Sequence, residues 1–271
     1  MDKQPTRSKR ITAARRFDKT QLHIGGHGRT VHRDYASHAL RWNYVATQAS
    51  YLNDIFLKYG WAQRHIEQGL SILDIGCGQE QPLLYVLGAR MNTVPECYLG
   101  VDLNRISKKS QVRWSEIWDE FDFVNNYGKV VEKYTPFDLA VCFEVIEHMA
   151  PEDGDKLLLG IFECLRPGGI AYISTPVFDG LAAANHIHEY TIPELDAAIT
   201  RAGFVVERRI GTFASKPTIR QAMRNAGDLE RLKVYDELET WFGGEVMSTL
   251  MAPLYPDASR NNLWVCARPL A

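Results

Sequence analysis

The sequence predicts an α/β fold, a doubly wound and mostly parallel sheet of seven strands. Three observations carry this expectation. From Leu70 onward, short apolar runs alternate with stretches of helical periodicity. A glycine turn, Asp74-Ile75-Gly76-Cys77-Gly78, follows the first apolar run. An acid, Asp102, closes the second. Runs that are apolar at nearly every position belong to strands buried on both faces, the condition of a parallel sheet between helical layers.

Taken in order, residues 1–30 form a basic arm, residues 31–69 a helical cap, and residues 70–271 the sheet domain. Within the cap, Asp34 to Glu67 reads as helix, because Leu40, Tyr44, Tyr51 and Ile55 recur at helical spacing. The strands are expected at Ser71–Ile75, Cys97–Asp102, Phe121–Val124, Phe137–Phe143, Ile170–Thr175, Phe204–Arg208 and Asn262–Ala267. Helices fill the intervals Gln81–Arg90, Asp153–Leu165 and Pro193–Ala202, the second of them stopped by Pro167-Gly168-Gly169. Between the sixth and last strands lies an insertion, residues 211–261, with helical pattern at Leu229–Phe242 and Val246–Leu250. A plain hairpin needs only a few residues there, so the insertion is expected to shape a substrate site.

Composition narrows the function classes. The hydrophobic fraction of 45% supports a buried core. The net charge of -2 argues against a chain that is basic throughout. That charge is unevenly spread, since residues 1–41 hold ten Lys/Arg and three acids, leaving -9 for the rest. The arm is therefore either a solvated tail or a phosphate-contacting segment for nucleic acid. None of the five cysteines forms a CxxC pair, which fits reduced thiols in a cytoplasmic protein. There is no apolar stretch long enough for a membrane span, and the Arg-rich start lacks the apolar core of a secretory signal. No motif sets an oligomeric state.

The glycine turn lets backbone approach a ligand closely. Asp102 stands where an acid can accept hydrogen bonds from both ribose hydroxyls. Asp74, just before the glycines, would repel a pyrophosphate and suits a cofactor bearing a cation. Four segments, ILDIGCG (Ile72–Gly78), LGVDLN (Leu99–Asn104), FDLAVCFEVIEH (Phe137–His148) and LRPGGIAYISTP (Leu165–Pro176), then complete a pattern. Together they resemble the class I S-adenosylmethionine-dependent methyltransferases, over about Leu70 to Phe204. The resemblance implies a Rossmann-like methyltransferase sheet and S-adenosylmethionine as cofactor. Gly76, Cys77 and Gly78 would pack on its methionine part and Asp102 on its ribose. Leu103, Phe143 and Glu144 would complete the cofactor-binding set. The family often has an acid in the loop after the third strand, whereas this chain offers Asn125-Asn126, so Asn125 stands there for adenine. Glu80 also occupies the place of the family's third glycine.

Methyl transfer needs an aligned nucleophile and a route for its proton. The chain lacks the Asp/Asn-Pro-Pro-aromatic motif of DNA amino-methylating enzymes and the Pro-Cys of cytosine-C5 enzymes, so oxygen becomes the leading nucleophile. Glu144, Glu147 and His148 lie at i, i+3, i+4, and in a helix would share one face at the cofactor crevice. With His186 or His188 of NHIHEYT they can ligate a divalent metal such as Mg or Mn. That pairing resembles the metal-dependent small-RNA 2′-O-methyltransferases, and ExxEH alone also resembles the ubiquinone-pathway O-methyltransferases. Without a metal, the segment is a helix start that touches cofactor, with His148 as base and Glu147 beside it. Arg33, Tyr35 and Trp42 are either lid residues or part of a packed cap. The expected activity is O-methylation of a small-molecule hydroxyl. The alternatives are nucleic-acid methylation, RNA 2′-O or modified base, and a non-catalytic cofactor-binding scaffold.

Overall fold

A computed structural model describes residues 57–67, 69–88, 95–110, 112–134 and 136–270. The basic arm and the cap as far as residue 56, with Arg33, Tyr35 and Trp42, lie outside the described residues. The last turns of the cap are present as α1 (Gly60–His65).

Seven strands follow: β1 (Ser71–Ile75), β2 (Cys97–Val101), β3 (Ser115–Trp118), β4 (Phe137–Phe143), β5 (Leu165–Pro176), β6 (Val205–Phe213) and β7 (Asn261–Ala267). They form one sheet in the order β3-β2-β1-β4-β5-β7-β6. The first five pair in parallel, and β7 runs antiparallel between β5 and β6. Helices α2 (Pro82–Gly88), α3 (Phe123–Tyr134), α4 (Pro151–Cys164) and α5 (Ile192–Arg201) connect the strands.

The two-sided burial read from the sequence is visible in β1. Ile72 faces a core with Leu83, Leu84 and Leu87 of α2, while Leu73 and Ile75 face Leu157 and Ile161 of α4. Helix α4 carries its buried side chains at Leu157, Leu158, Ile161 and Cys164, a single stripe, with Pro151 and the acids Glu152 and Asp153 in its first turn. In α5 the N–H and hydroxyl of Thr191 both donate to Glu194, which fixes the chain where it leaves the site loop. Among the described residues, no helix is long and apolar enough to cross a membrane.

Three expectations are corrected. The third strand is Ser115–Trp118, not Phe121–Val124. Asp122 accepts the N–H of Asn125 at 3.2 Å, so it caps α3, and Phe123 and Val124 are helical. The fifth strand begins at Leu165, five residues earlier than expected. Its register against β4 is interrupted between Phe137 and Leu139, and Pro167-Gly168-Gly169 lie inside the strand. The sixth strand continues to Phe213 through Gly211, where the insertion was expected to begin. Only glycine fits there, because a Cβ would stand 2.2 Å from the Ala252 carbonyl oxygen. The insertion is correspondingly shorter and richer in helix, with α6 (Lys216–Asn225), α7 (Leu229–Phe242) and α8 (Gly244–Met251) closing their own core around Ile219, Met223, Tyr235 and Met247.

Candidate active site

Strand order reverses between β1 and β4, whose neighbours lead away in opposite directions. Their carboxyl ends therefore leave a crevice between diverging connections. A cavity of about 590 Å³ lies there. Gly76, Asp102, Leu103, Asn125, Glu144 and His148 are on its wall, along with Asp122 and Asp153. Gly76 has φ +71°, and a Cβ on it would stand 2.4 Å from Val145, so the turn needs glycine at this position.

Asp102 is held by its neighbours. Its Oδ2 accepts the Gly78 N–H at 2.9 Å and its Oδ1 accepts the Asn104 N–H at 2.8 Å. Each oxygen keeps further acceptor capacity. Among the described residues the wall carries four carboxylates, Asp102, Asp122, Glu144 and Asp153, and no lysine or arginine. Such a lining repels polyphosphate and attracts a cation.

Asp74, Cys77, Gly78 and Phe143 are not among the residues that line this cavity. Phe143 ends β4 against Tyr59, ring centroids 5.1 Å apart. The Cys77 thiol is buried, and that burial pushes its pKa up. Asp74 accepts the Tyr98 hydroxyl at 2.5 Å. Burial pushes its carboxyl up to about 7, with the Tyr98 hydroxyl opposing and the Asp102 charge adding. A carboxyl with ordinary pKa 3.8 that rises to about 7 on folding takes up a proton between those values. Stability should therefore fall as pH rises through that window and then level off. Asp74→Asn keeps an acceptor for Tyr98 and cannot ionise. It should flatten the slope and raise stability at pH 8 by roughly 2–4 kcal/mol in urea unfolding, and an unchanged slope would refute this.

At the other mouth of the cavity, the expected helix over Glu144–His148 is absent. Glu144 has φ +56°, and a single 3₁₀ turn, Ile146–His148, follows. This separates the three residues that helical spacing would place on one face. Glu144 accepts the Ser174 hydroxyl at 2.6 Å and the Asn261 amide at 3.2 Å, and pairs at 3.3 Å with Lys58, itself 1% exposed. Glu147 turns inward, accepting the Thr175 hydroxyl on Oε2 at 3.0 Å. Its Oε1 is buried and has no hydrogen-bond partner among the described residues. Burial first, and then Glu144, push its carboxyl up to about 8.

Glu147, His148 and His186 offer ligand atoms all within 4.8 Å of one another. Glu144 is not in that group, and His188 instead stacks edge-on against Tyr190. The His148 Nδ1 lies 3.1 Å from the Asn185 carbonyl, and the His186 Nδ1 lies 2.5 Å from Glu189 Oε1. Both imidazoles are thus tied at Nδ1, leaving Nε2 for a ligand. One carboxylate with an orphaned oxygen and two tethered imidazoles fit a divalent cation.

Sequence reasoning missed two features here. Asp122, on the cavity wall beside Phe121 and Phe123, is an acid in the loop after the third strand, and the Asn125 amide, on the same wall, donates to it at 2.7 Å. Its signal was the N-cap position ahead of an amphipathic stretch. The second is Glu189, fully buried and paired with Arg260 at 2.5 Å. Burial pushes its carboxyl up, yet the bonds from Ala183 N, Arg260 and His186 outweigh this and leave it below the ordinary carboxylate value. The insertion supplies no residue to the cavity wall. Arg260 and Asn261, where it returns to the sheet, are what reach the site.

A family model described as "Methyltransferase domain" matches residues 44–227. The uncharacterized protein RP028 of Rickettsia prowazekii (strain Madrid E) is 31% identical over 159 residues, 53% of this chain and 57% of that protein. The match thus spans little more than half of that relative. A SAM-dependent methyltransferase from Archaeoglobus fulgidus superposes with a TM-score of 0.53 at 15% identity, covering 83% of this chain and 99% of that one. The small RNA methyltransferase HEN1 superposes with a TM-score of 0.50 at 16% identity, covering 79% of this chain and 25% of that one. At such identities these two structures establish a shared fold.

Proposed function

The chain belongs to the methyltransferase-domain family, whose model matches more than half of it, and on that premise we propose that it is an S-adenosylmethionine-dependent O-methyltransferase with a divalent cation beside its acceptor hydroxyl. The observation that carries this reading is the place of His148, which lines the acidic cavity and also belongs to the cluster with Glu147 and His186. Cofactor and acceptor sites therefore share a wall.

Asp102 accepts the ribose hydroxyls, and Asp122 accepts the exocyclic amine of adenine. The carboxylates of the wall favour the ammonium and sulfonium charges of the cofactor over a phosphate. Glu147, His148 and His186 would hold the cation, which would supply Lewis acidity at the acceptor hydroxyl. The oxygen–methyl bond forms in line as the carbon–sulfur bond breaks, its electron pair staying on sulfur to give S-adenosylhomocysteine. The hydroxyl proton leaves on the side of His148, an exposed residue next to solvent.

The acceptor we favour is a small-molecule hydroxyl. A second reading, an RNA 2′-hydroxyl, is supported by the +7 balance of residues 1–41. Labelled S-adenosylmethionine offered with separate metabolite and RNA fractions should place label in one of them. Salt-insensitive turnover on a metabolite upholds the first reading. Binding that weakens steeply with salt, with a slope flattened by deletion of residues 1–20, upholds the second. Calorimetry without any S-adenosylmethionine binding would reject both.

A further inference from the structure

We propose that Arg260 and Glu189 are positioning residues that fix the imidazole tautomer of His186. The inference rests on the proposed role of His186 as a ligand, but its central observation is independent of any cation. Glu189 is fully buried, and its partners among the described residues are two donors, the Ala183 N–H and Arg260, and the His186 ring. Its Oε1 accepts the Ala183 N–H at 3.0 Å and meets His186 Nδ1 at 2.5 Å, while its Oε2 accepts Arg260 Nη2 at 2.5 Å. A carboxylate has no proton to give, so His186 must donate from Nδ1, and Nε2 is left with its lone pair. The imidazole is thereby set to face the cluster with its ligating atom.

Arg260 determines which way this arrangement can fail. Backbone bonds fix it firmly, Arg260 N–H to the Phe213 carbonyl at 2.8 Å and Val177 N–H to the Arg260 carbonyl at 2.7 Å. Its guanidinium also donates to the Val177 carbonyl and, at 3.2 Å, to that of Leu181. One side chain therefore ties down the loop that carries His186 and orients the carboxylate that carries its proton. Arginine only donates. In Glu189→Gln a single amide oxygen must serve either Arg260 or the Ala183 N–H beside His186; the charged guanidinium is the stronger donor and takes it, so the amide NH₂ faces His186 and the Ala183 N–H loses its acceptor. The imidazole can answer that donor only by moving its proton to Nε2.

Long-range ¹H–¹⁵N spectra of the metal-free protein, recorded with neutral imidazoles, test this. Wild-type His186 should carry its proton on Nδ1, and Glu189→Gln should move it to Nε2. The double variant Glu189→Gln/Arg260→Met frees the amide oxygen and should return the proton to Nδ1. Mn²⁺ affinity should fall about 10- to 100-fold in Glu189→Gln, with S-adenosylmethionine affinity unchanged. A wild-type His186 protonated on Nε2, or one unmoved by Glu189→Gln, overturns the assignment. Because the wild-type spectrum alone is decisive, a misfolded variant does not shield it. If the tautomer shifts as expected but the wild type binds no Mn²⁺, the cation reading fails and the positioning role stands.

Discussion

Asp102→Ala is expected to lower S-adenosylmethionine affinity by at least about 100-fold, measured by calorimetry. A hydrogen bond to a charged group contributes about 1.5–3 kcal/mol, and two ribose hydroxyls would lose theirs together. A loss near 3–4 kcal/mol is roughly 100- to 1,000-fold in Kd. The carboxylate also has a structural role beside the proposed ribose contact. Its bonds to Gly78 N and Asn104 N join the glycine turn to the loop after β2, so both loops lose an anchor when it goes. Asp102→Asn separates the two contributions. It keeps one acceptor oxygen and should cost about tenfold, the price of a single charged bond. A folded Asp102→Ala protein that binds within threefold of wild type would remove Asp102 from the cofactor site.

The difference between what could and could not be read from the sequence follows the range of the interactions. The turn at Gly76 and the acid at Asp102 are dictated locally, by a positive φ and by a place at the end of a buried strand, and both sit on the cavity wall. β3 was illegible because it has four residues, only one of them, Ile117, buried. With so weak an alternation, the apolar Phe121–Val124 looked more like a strand than the capped helix start it is, and Asp122 was passed over as a result. The Glu144–His148 segment shows another limit. Helical spacing put three side chains on one face, but the positive φ of Glu144 sends its carboxylate to Lys58 and Ser174. Choosing His186 over His188 needed Glu189, and Glu189 needed Arg260, which lies 71 residues away in sequence. No periodicity encodes that contact.

The largest loss of turnover is expected at the cluster itself. His148→Ala should reduce methyl transfer by on the order of 10³-fold, within the range for a group that governs proton removal from a reacting oxygen. S-adenosylmethionine affinity should change only a few-fold, because His148 is one of many side chains on the cavity wall. This loss alone fits either a base or a ligand, and chelation separates them. As a base, His148 would work equally well in EDTA. As a ligand, it would work only with Glu147 and His186, so EDTA should abolish turnover and Mn²⁺ should restore it. Stability offers a readout that does not depend on knowing the acceptor. Among the described residues Glu147 Oε1 is buried without a partner, a cost of about 1–3 kcal/mol that a bound cation would relieve. Mn²⁺ at 100 times its Kd should stabilise the wild type by about 2.7 kcal/mol and raise its Tm. Glu147→Gln should be at least as stable as wild type in EDTA, since it removes a carboxyl that burial disfavours, and Mn²⁺ should leave its Tm unchanged. A wild-type Tm indifferent to Mn²⁺, with turnover unaffected by EDTA, would leave His148 as a base acting without a cation.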